Sequence, residues 1–274
     1  MKEAMKEALT PSFGRSTMRI FDLSLGEMLW ARRTLFMAAL VAAPVLLAVV
    51  ARIVLANGEA VIRINGARVG SAGMFGAMIG VLYLKFIIPA LGVFYGTSLI
   101  ADEVEDKTIT YLFTRPIPRR SIVMGKYLAY VVCTTSVVLP SVMIAFLLMV
   151  PLAFGPLVTD LGILALGLAA YGALFLLAGV VLKRPLVAGL VFAFGWEQIA
   201  LVMPGYLKYV TIAYYLQALA PQAIPAEDTL SLLQAASRDV PSAASSLFCL
   251  LLVLVASLVL AMWTVERREY VLEQ

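Results

Sequence analysis

The stretch Thr34-Leu-Phe-Met-Ala-Ala-Leu-Val-Ala-Ala-Pro-Val-Leu-Leu-Ala-Val-Val-Ala-Arg-Ile-Val-Leu55 carries a single charge, Arg52. An α-helix needs about 20 mostly apolar residues to cross a hydrocarbon core of roughly 30 Å, and lipid offers its backbone no outside hydrogen-bond partner. This stretch qualifies. So do five others, at about 75–100, 127–152, 157–182, 185–203 and 245–265. Pro44, Pro89, Pro140 and Gly92 fall inside these runs, where neighbouring helices satisfy the freed backbone groups. Composition agrees: 62% of the 274 residues are hydrophobic and 14% charged, against roughly 45–50% and about 25% in soluble domains. Mean hydropathy is +0.95. The expected fold is an all-α polytopic membrane protein with six transmembrane helices.

Absences narrow the chemistry. The chain has no histidine, which removes imidazole catalysis and His-ligated metal sites. Cys133 and Cys249 both lie in apolar runs and read as small buried hydrophobes rather than a disulfide or a metal site. No Gly-x-Ser-x-Gly elbow, His-based metal motif or carboxylate pair within one span suggests an intramembrane enzyme. The net charge of +4 is modest, and no nucleic-acid partner is expected.

Lysine and arginine set the orientation. With the N-terminus in the cytoplasm, the inner segments hold fifteen of these residues and the outer segments five, with Lys85 inside a span. Both termini are therefore expected in the cytoplasm and the chain in the plasma (inner) membrane. Residues 1–33 form a cytoplasmic N-terminus, 34–265 the six-span domain and 266–274 a cytoplasmic tail. The first of these is no cleavable signal, because acids mix with bases and the next apolar run is long enough to span. Within it, Met18, Phe21, Leu25 and Met28 recur at helical spacing. That pattern suits an amphipathic helix on the inner surface, capped at Ser16 or Thr17, or one packed on protein.

On the outer side, Val61-Ile-Arg-Ile-Asn-Gly-Ala-Arg-Val69 suggests a hairpin turning at Asn65-Gly66. Residues 204–244 read as a re-entrant segment. Tyr206, Tyr209, Tyr214 and Tyr215 suit the interface zone, Pro221 and Pro225 break the chain, and a short capped helix is expected from Asp228.

The most informative inner segment is 101–126. It includes Glu103, Glu105, Asp106 and Thr108, then Ile109, Leu112 and Phe113 on one helical face, then Arg115-Pro-Ile-Pro118, Arg119, Arg120 and Gly125-Lys126. Arg115 precedes Pro116 and so avoids the α region. A helical knob with an apolar face, held between two spans, suits a soluble partner, and an ordinary charged loop has the same composition. These residues, with Pro89 and the run Ile100-Ala-Asp-Glu-Val-Glu105 before them, resemble the signature of ABC-2 type transporter permeases. In that pattern Ile-Ala-x-Glu-x-Glu leads to Thr, Leu, Arg-Pro-x-x-Arg and Gly-Lys. One common variant has Gly before the Thr, where this chain has Lys107.

The resemblance implies an ABC-2 (type V exporter-like) architecture and a non-catalytic permease subunit, an exporter. Its implied partners are a second permease subunit, identical or not, and two ABC ATPase subunits that bind ATP and Mg. It makes 101–126 the coupling segment, with Asp106 to Phe113 as the docking helix and Glu103 and Glu105 anchoring its base against Arg32, Arg33 or Arg119. It gives the Lys183-Arg184 link a lesser inner contact. It places spans two and five near the dimer interface and the path, which makes Phe86, Phe94, Phe192 and Trp196 candidate lining residues. The chain itself carries no cofactor and has no ATP site. A P-loop needs Gly, four residues, then Gly-Lys-Ser/Thr, and Arg120 stands where the first Gly would precede Gly125-Lys126, with Tyr127 after it.

Lys85 and Glu197 lie inside spans two and five. Ionisable groups at such depth are costly and usually paired or functional. At about 1.5 Å per residue their depths agree, so an ion pair is expected, within a subunit or across the dimer. Lining the path and independent snorkelling are the alternatives. Two small-residue motifs, Gly76 to Gly80 and Gly92 to Gly96, allow close helix approach, inside one subunit or at a dimer seam. Two further functional readings stay open: a stand-alone secondary transporter or channel, which more intramembrane charges would favour, and a permease-like anchor that transmits force without cargo.

Overall fold

The computed structural model describes residues 13–30, 32–56, 62–64, 67–69, 71–105, 118–150, 154–203, 206–220 and 241–267. Helix α1 spans Phe13–Trp30 and α2 Arg32–Ala56. Two short strands, β1 (Ile62–Ile64) and β2 (Ala67–Val69), pair antiparallel with Ile64 opposite Ala67, on either side of Asn65 and Gly66. Among the described residues the fold is therefore helical apart from this ribbon.

The second apolar run changes pitch along its length. It passes from α3 (Ser71–Ala77) into a π-helix over Met78–Ile87, returns to α4 (Ile88–Leu91), widens again over Gly92–Gly96 and ends as α5 (Ser98–Glu105). Pro89 begins this second α turn; it has no N–H to give, and the Ile88 amide reaches back five residues to the Tyr83 carbonyl. Helices α6 (Arg119–Met149) and α7 (Phe154–Val181) are regular. The fifth run starts as α8 (Pro185–Leu190), becomes a π-helix over Val191–Trp196 and finishes as α9 (Glu197–Val202). A 3-10 turn at Tyr206–Val210 leads to α10 (Ile212–Leu219), and α11 (Ala243–Arg267) closes the chain.

Among the described residues five helices are long and apolar enough to cross a membrane: Thr34–Val54, Ser71–Glu103, Arg119–Met149, Leu157–Val181 and Ala243–Arg267. The sixth expected span is the shorter apolar helix Pro185–Leu201. At about 1.5 Å per residue it covers some 26 Å, the lower edge of a spanning length. In their most apolar 18-residue stretches, 67% of the second and fourth spanning helices is buried, against 28% of the first and last. The second and α7 therefore form the centre, while α2 and α11 turn Leu46, Leu47, Val50, Leu252, Val255 and Val259 outward. Helices apolar on their exposed faces belong in lipid or against another apolar surface.

Lipid supplies no hydrophobic drive between helices, so close packing and interhelical hydrogen bonds hold the bundle. Tyr83 and Ser141 hydroxyls meet at 2.9 Å. Tyr127 and Tyr130 of α6 donate to the carbonyls of Ala169 and Leu168 on α7 at 3.0 and 3.1 Å. A Cβ on Gly172 would lie 2.0 Å from the Tyr130 ring, so only glycine lets that ring lie flat on α7. Gly92 and Gly96 press on Tyr171, Gly172 and Phe175, which makes that small-residue motif a contact inside one subunit. Cys133 is buried, Cys249 is half-buried, and both are free thiols.

Helix α1 departs from expectation. It begins at Phe13, so Ser16 and Thr17 lie inside it, and the Thr17 hydroxyl bonds back to the Phe13 carbonyl at 2.8 Å instead of capping. Its buried stripe is Ser16, Thr17, Ile20 and Ser24. Met18 is exposed, while Phe21, Leu25 and Met28 are half-buried beside that stripe. Small side chains face α6 because they allow close approach, and the bulkier apolar ones flank the contact.

Candidate functional site

The site grows from the foot of the second span, where α5 ends and α6 begins. Of the expected coupling residues, Asp106, Thr108, Ile109, Leu112, Phe113, Arg115 and Pro116 lie outside the described residues, and Glu105 is the last residue of α5. The base of the segment is well defined. The Lys126 ammonium donates to the Glu103 carboxylate and, at 2.9 Å, to the Leu99 carbonyl. Lys126 is 8% exposed, and a charge that buried is tolerable only when paired and hydrogen-bonded. The partner found for Glu103 thus comes from the Gly-Lys end of the same motif, a pairing that sequence reasoning did not propose.

Its neighbour Gly125 has a second role. A Cβ there would come within 2.8 Å of the Thr17 carbonyl and 2.9 Å of Ile20. The bare backbone of α6 is what lets α1 lie against it. Ser121 adds a hydroxyl bond to the Phe13 carbonyl at 3.4 Å. Arg119 opens α6 half-buried, and Arg120 grips both Glu266 oxygens of α11 at 2.5 and 2.6 Å. Four elements (α1, α5, α6 and α11) therefore meet around the ends of the connecting segment.

Deeper in the bundle, the expected path residues fall on the widened helices. Lys85 and Phe86 lie in the π-helix Met78–Ile87, Phe94 in Gly92–Gly96, and Phe192 and Trp196 in Val191–Trp196, with Glu197 next in line. Such i→i+5 turns are rare and often mark functional sites. Phe86 meets Phe194 at 5.5 Å, which brings the second and fifth runs side by side. Phe86 is 47% and Trp196 39% exposed. By contrast Phe94 packs edge-on against Phe36 at 5.0 Å, and Phe192 against Phe175 at 6.3 Å.

The expected Lys85–Glu197 ion pair does not form. Glu197 is fully buried, and its carboxylate accepts the Tyr171 hydroxyl and, at 3.0 Å, the Ile212 amide. Matching depth left the rotation of each helix undetermined. Glu197 turns inward, where a carboxylate suits the positive N-terminal end of α10, and Lys85 is half-buried and outside the ion pairs found among the described residues. The chain has folded back by then, since Ile212 returns to a carboxylate five residues short of the end of α9.

Sequence reasoning missed three residues here. Tyr171 was readable as a lone phenol in an apolar run, which in a membrane interior seeks a partner. Ile212 gave no signal, because its backbone does the work. Asp160, near the start of α7, was visible as a charge in the fourth run; it is 1% exposed, and neither carboxylate oxygen has a hydrogen-bond partner among the described residues. No group of three potential metal-ligating side chains occurs among the described residues. A family model described as ABC-2 family transporter protein matches residues 18–270. No curated protein matches the chain.

Proposed function

The chain belongs to the ABC-2 transporter family, whose model covers nearly its whole length, and from that premise we propose that it is the permease half of an ATP-driven exporter. As a family member it is a multi-pass membrane component of an ABC transporter. The finer reading is that a separate ATPase docks on the cytoplasmic segment 101–126 and that two permease chains and two ATPases make the working unit. The bundle has six spans, with both ends of the chain in the cytoplasm.

One observation carries this reading: the joint of Lys126 with Glu103 and Leu99 at the foot of the segment. A hinge there would absorb a push as local bending. A buried ion pair between the last turn of one span and the first turns of the next passes it on to both. Through Gly125 the same push reaches α1. A lever needs such a stiff root.

Parity supports the sixth span. Helix α6 starts beside Glu103, and α11 ends there through Arg120 and Glu266. Helix α7 also returns to that end, where Gly179 lies against the Thr97 carbonyl. Helix α11 has 25 residues and so starts at the opposite end. Between Val181 and Ala243 the chain must cross once, and Pro185–Leu201 is the apolar helix available for it.

The test is co-purification of an ATPase subunit with the tagged chain from its native membrane. Phe113→Asp is expected to lose the ATPase while leaving the bundle folded. Lys126→Met is expected to keep the ATPase but uncouple its hydrolysis from transport. Retention of the ATPase by Phe113→Asp and by charge reversal at Glu105 and Asp106 would overturn the docking assignment.

A further inference from the structure

Lys85 lies fourteen residues from one end of the helix Ser71–Glu103 and eighteen from the other. At about 1.5 Å per residue, that puts it roughly 21 and 27 Å from the two ends. The whole helix of 33 residues measures about 50 Å, longer than a hydrocarbon core of roughly 30 Å, so Lys85 falls within the apolar part of the span. A cation at such depth calls for a counter-charge. None is at hand: the ion pairs found among the described residues join Arg120 to Glu266 and Lys126 to Glu103, and no hydrogen bond of Lys85 occurs among them.

Nor do the described membrane helices of a second copy offer a free one. Besides the acids at the foot of α5 and in the last turn of α11, the described membrane helices hold two carboxylates, Asp160 near the start of α7 and Glu197 near the end of the fifth run. These are 1% and 0% exposed, each turned into its own bundle, and Glu197 is already engaged by Tyr171 and Ile212. Two copies meeting through the second and fifth runs would bring two lysines together and no acid.

The surroundings describe the rest of the missing partner. Val81 stands one turn before Lys85, and Phe86 follows it, both about half exposed. Phe86 stacks on Phe194 of the fifth run, whose Val191 and Trp196 are also open. A charged spot on an apolar, aromatic wall fits a molecule with one acidic head and an apolar chain, because the head repairs the lone charge and the chain covers the wall. We infer that the face of the second and fifth runs centred on Lys85 binds an anionic amphiphile, with a phosphate or carboxylate head, and that the transported cargo is of this class. The second clause rests on the exporter reading; the binding site does not.

The probes are single-chain amphiphiles added below their micellar concentrations to the full-length protein in a neutral maltoside detergent, with binding followed by titration calorimetry. Dodecyl phosphate and dodecanoate are the anionic probes, and dodecyltrimethylammonium is the cationic control. At least one anion is expected to bind saturably, and which one binds tells phosphate from carboxylate. Lys85→Met is expected to weaken that binding at least tenfold, since a charge-assisted contact is lost. Lys85→Arg is expected to stay within about threefold. Unchanged binding to Lys85→Met, or equal binding of the trimethylammonium probe, would overturn the inference, as would carbodiimide cross-linking of Lys85 to a carboxylate of a second permease chain. Co-purification of the ATPase with the parent protein, read beside the parent's own anion binding, separates the two claims. An ATPase retained with no anion bound sinks this inference alone, whereas an ATPase absent from the parent protein sinks the exporter reading and leaves the site standing.

Discussion

Helices α6 and α7 and the second and fifth runs are equally apolar, yet they are built differently. The first pair is regular, sealed by a tyrosine ring on Gly172 and by two phenol-to-carbonyl bonds. The second pair is widened by π-turns over much of its length, carries Pro89 within it, and leaves Phe86 and Trp196 exposed with Lys85 half-buried. The contrast separates a wall from a working surface. Regular helices with glycine contacts resist sliding, whereas i→i+5 turns carry looser, displaceable bonding and are where function concentrates. One carboxylate, Glu197, fastens the working surface to the wall through Tyr171.

The harshest way to break the contrast is Gly172→Leu. The Tyr130 ring has nowhere to go, and overpacked cores rearrange or fail to fold; loss of the monodisperse peak in size-exclusion chromatography is expected, and a well-folded variant would show that the wall yields. Next comes Glu197→Ala. It leaves the Tyr171 hydroxyl and Ile212 amide unpaired, at about 1–3 kcal/mol each, so a thermal midpoint lowered by several degrees is expected. Glu197→Gln should recover part of that loss; if Glu197→Ala melts like the parent, the fastening is unimportant.

The wall has one flaw, and it offers an effect of opposite sign. Asp160 is buried without a hydrogen-bond partner among the described residues, a situation that costs about 1–3 kcal/mol. Asp160→Leu is expected to raise the midpoint of the isolated chain. A fall instead would mean that the assembled protein gives this carboxylate a partner. The mildest change is Tyr130→Phe: interhelical hydrogen bonds in membrane proteins average about 0.6 kcal/mol, so a shift near the limit of detection is expected while the ring still seals Gly172. A large shift would assign the seam to the hydroxyl instead of to ring packing.

Much of the wall was legible. Runs of apolar residues fixed where helices lie because span length is dictated by bilayer thickness, whereas the anchor expected for Glu103 was an arginine and the partner found is Lys126. The working surface was harder to read. Pro89 announced a missing amide but not that the helix would widen on both sides of it, and each widened turn rotates everything beyond it relative to a 3.6-residue period. Equal depth therefore suggested a Lys85–Glu197 pair that the rotation forbids. The face of α1 was misjudged for a related reason: Ser16, Thr17, Ile20 and Ser24, not Met18, Phe21, Leu25 and Met28, form the stripe that lies against α6, with Ile20 on Gly125. The π-helices, the fold-back to Ile212 and the partner of Lys126 depend on contacts between distant parts of the chain, which hydropathy does not encode.

The clasp between Arg120 and Glu266 has a practical corollary for anyone handling the protein. It brings the last turn of α11 beside the first turn of α6, so whatever is fused after the C-terminus starts its course next door to the place where the ATPase is proposed to sit. A bulky reporter appended there would crowd that partner and mimic an uncoupled mutant, while the same reporter inserted in the loop at the opposite end of the bundle would leave the contact clear.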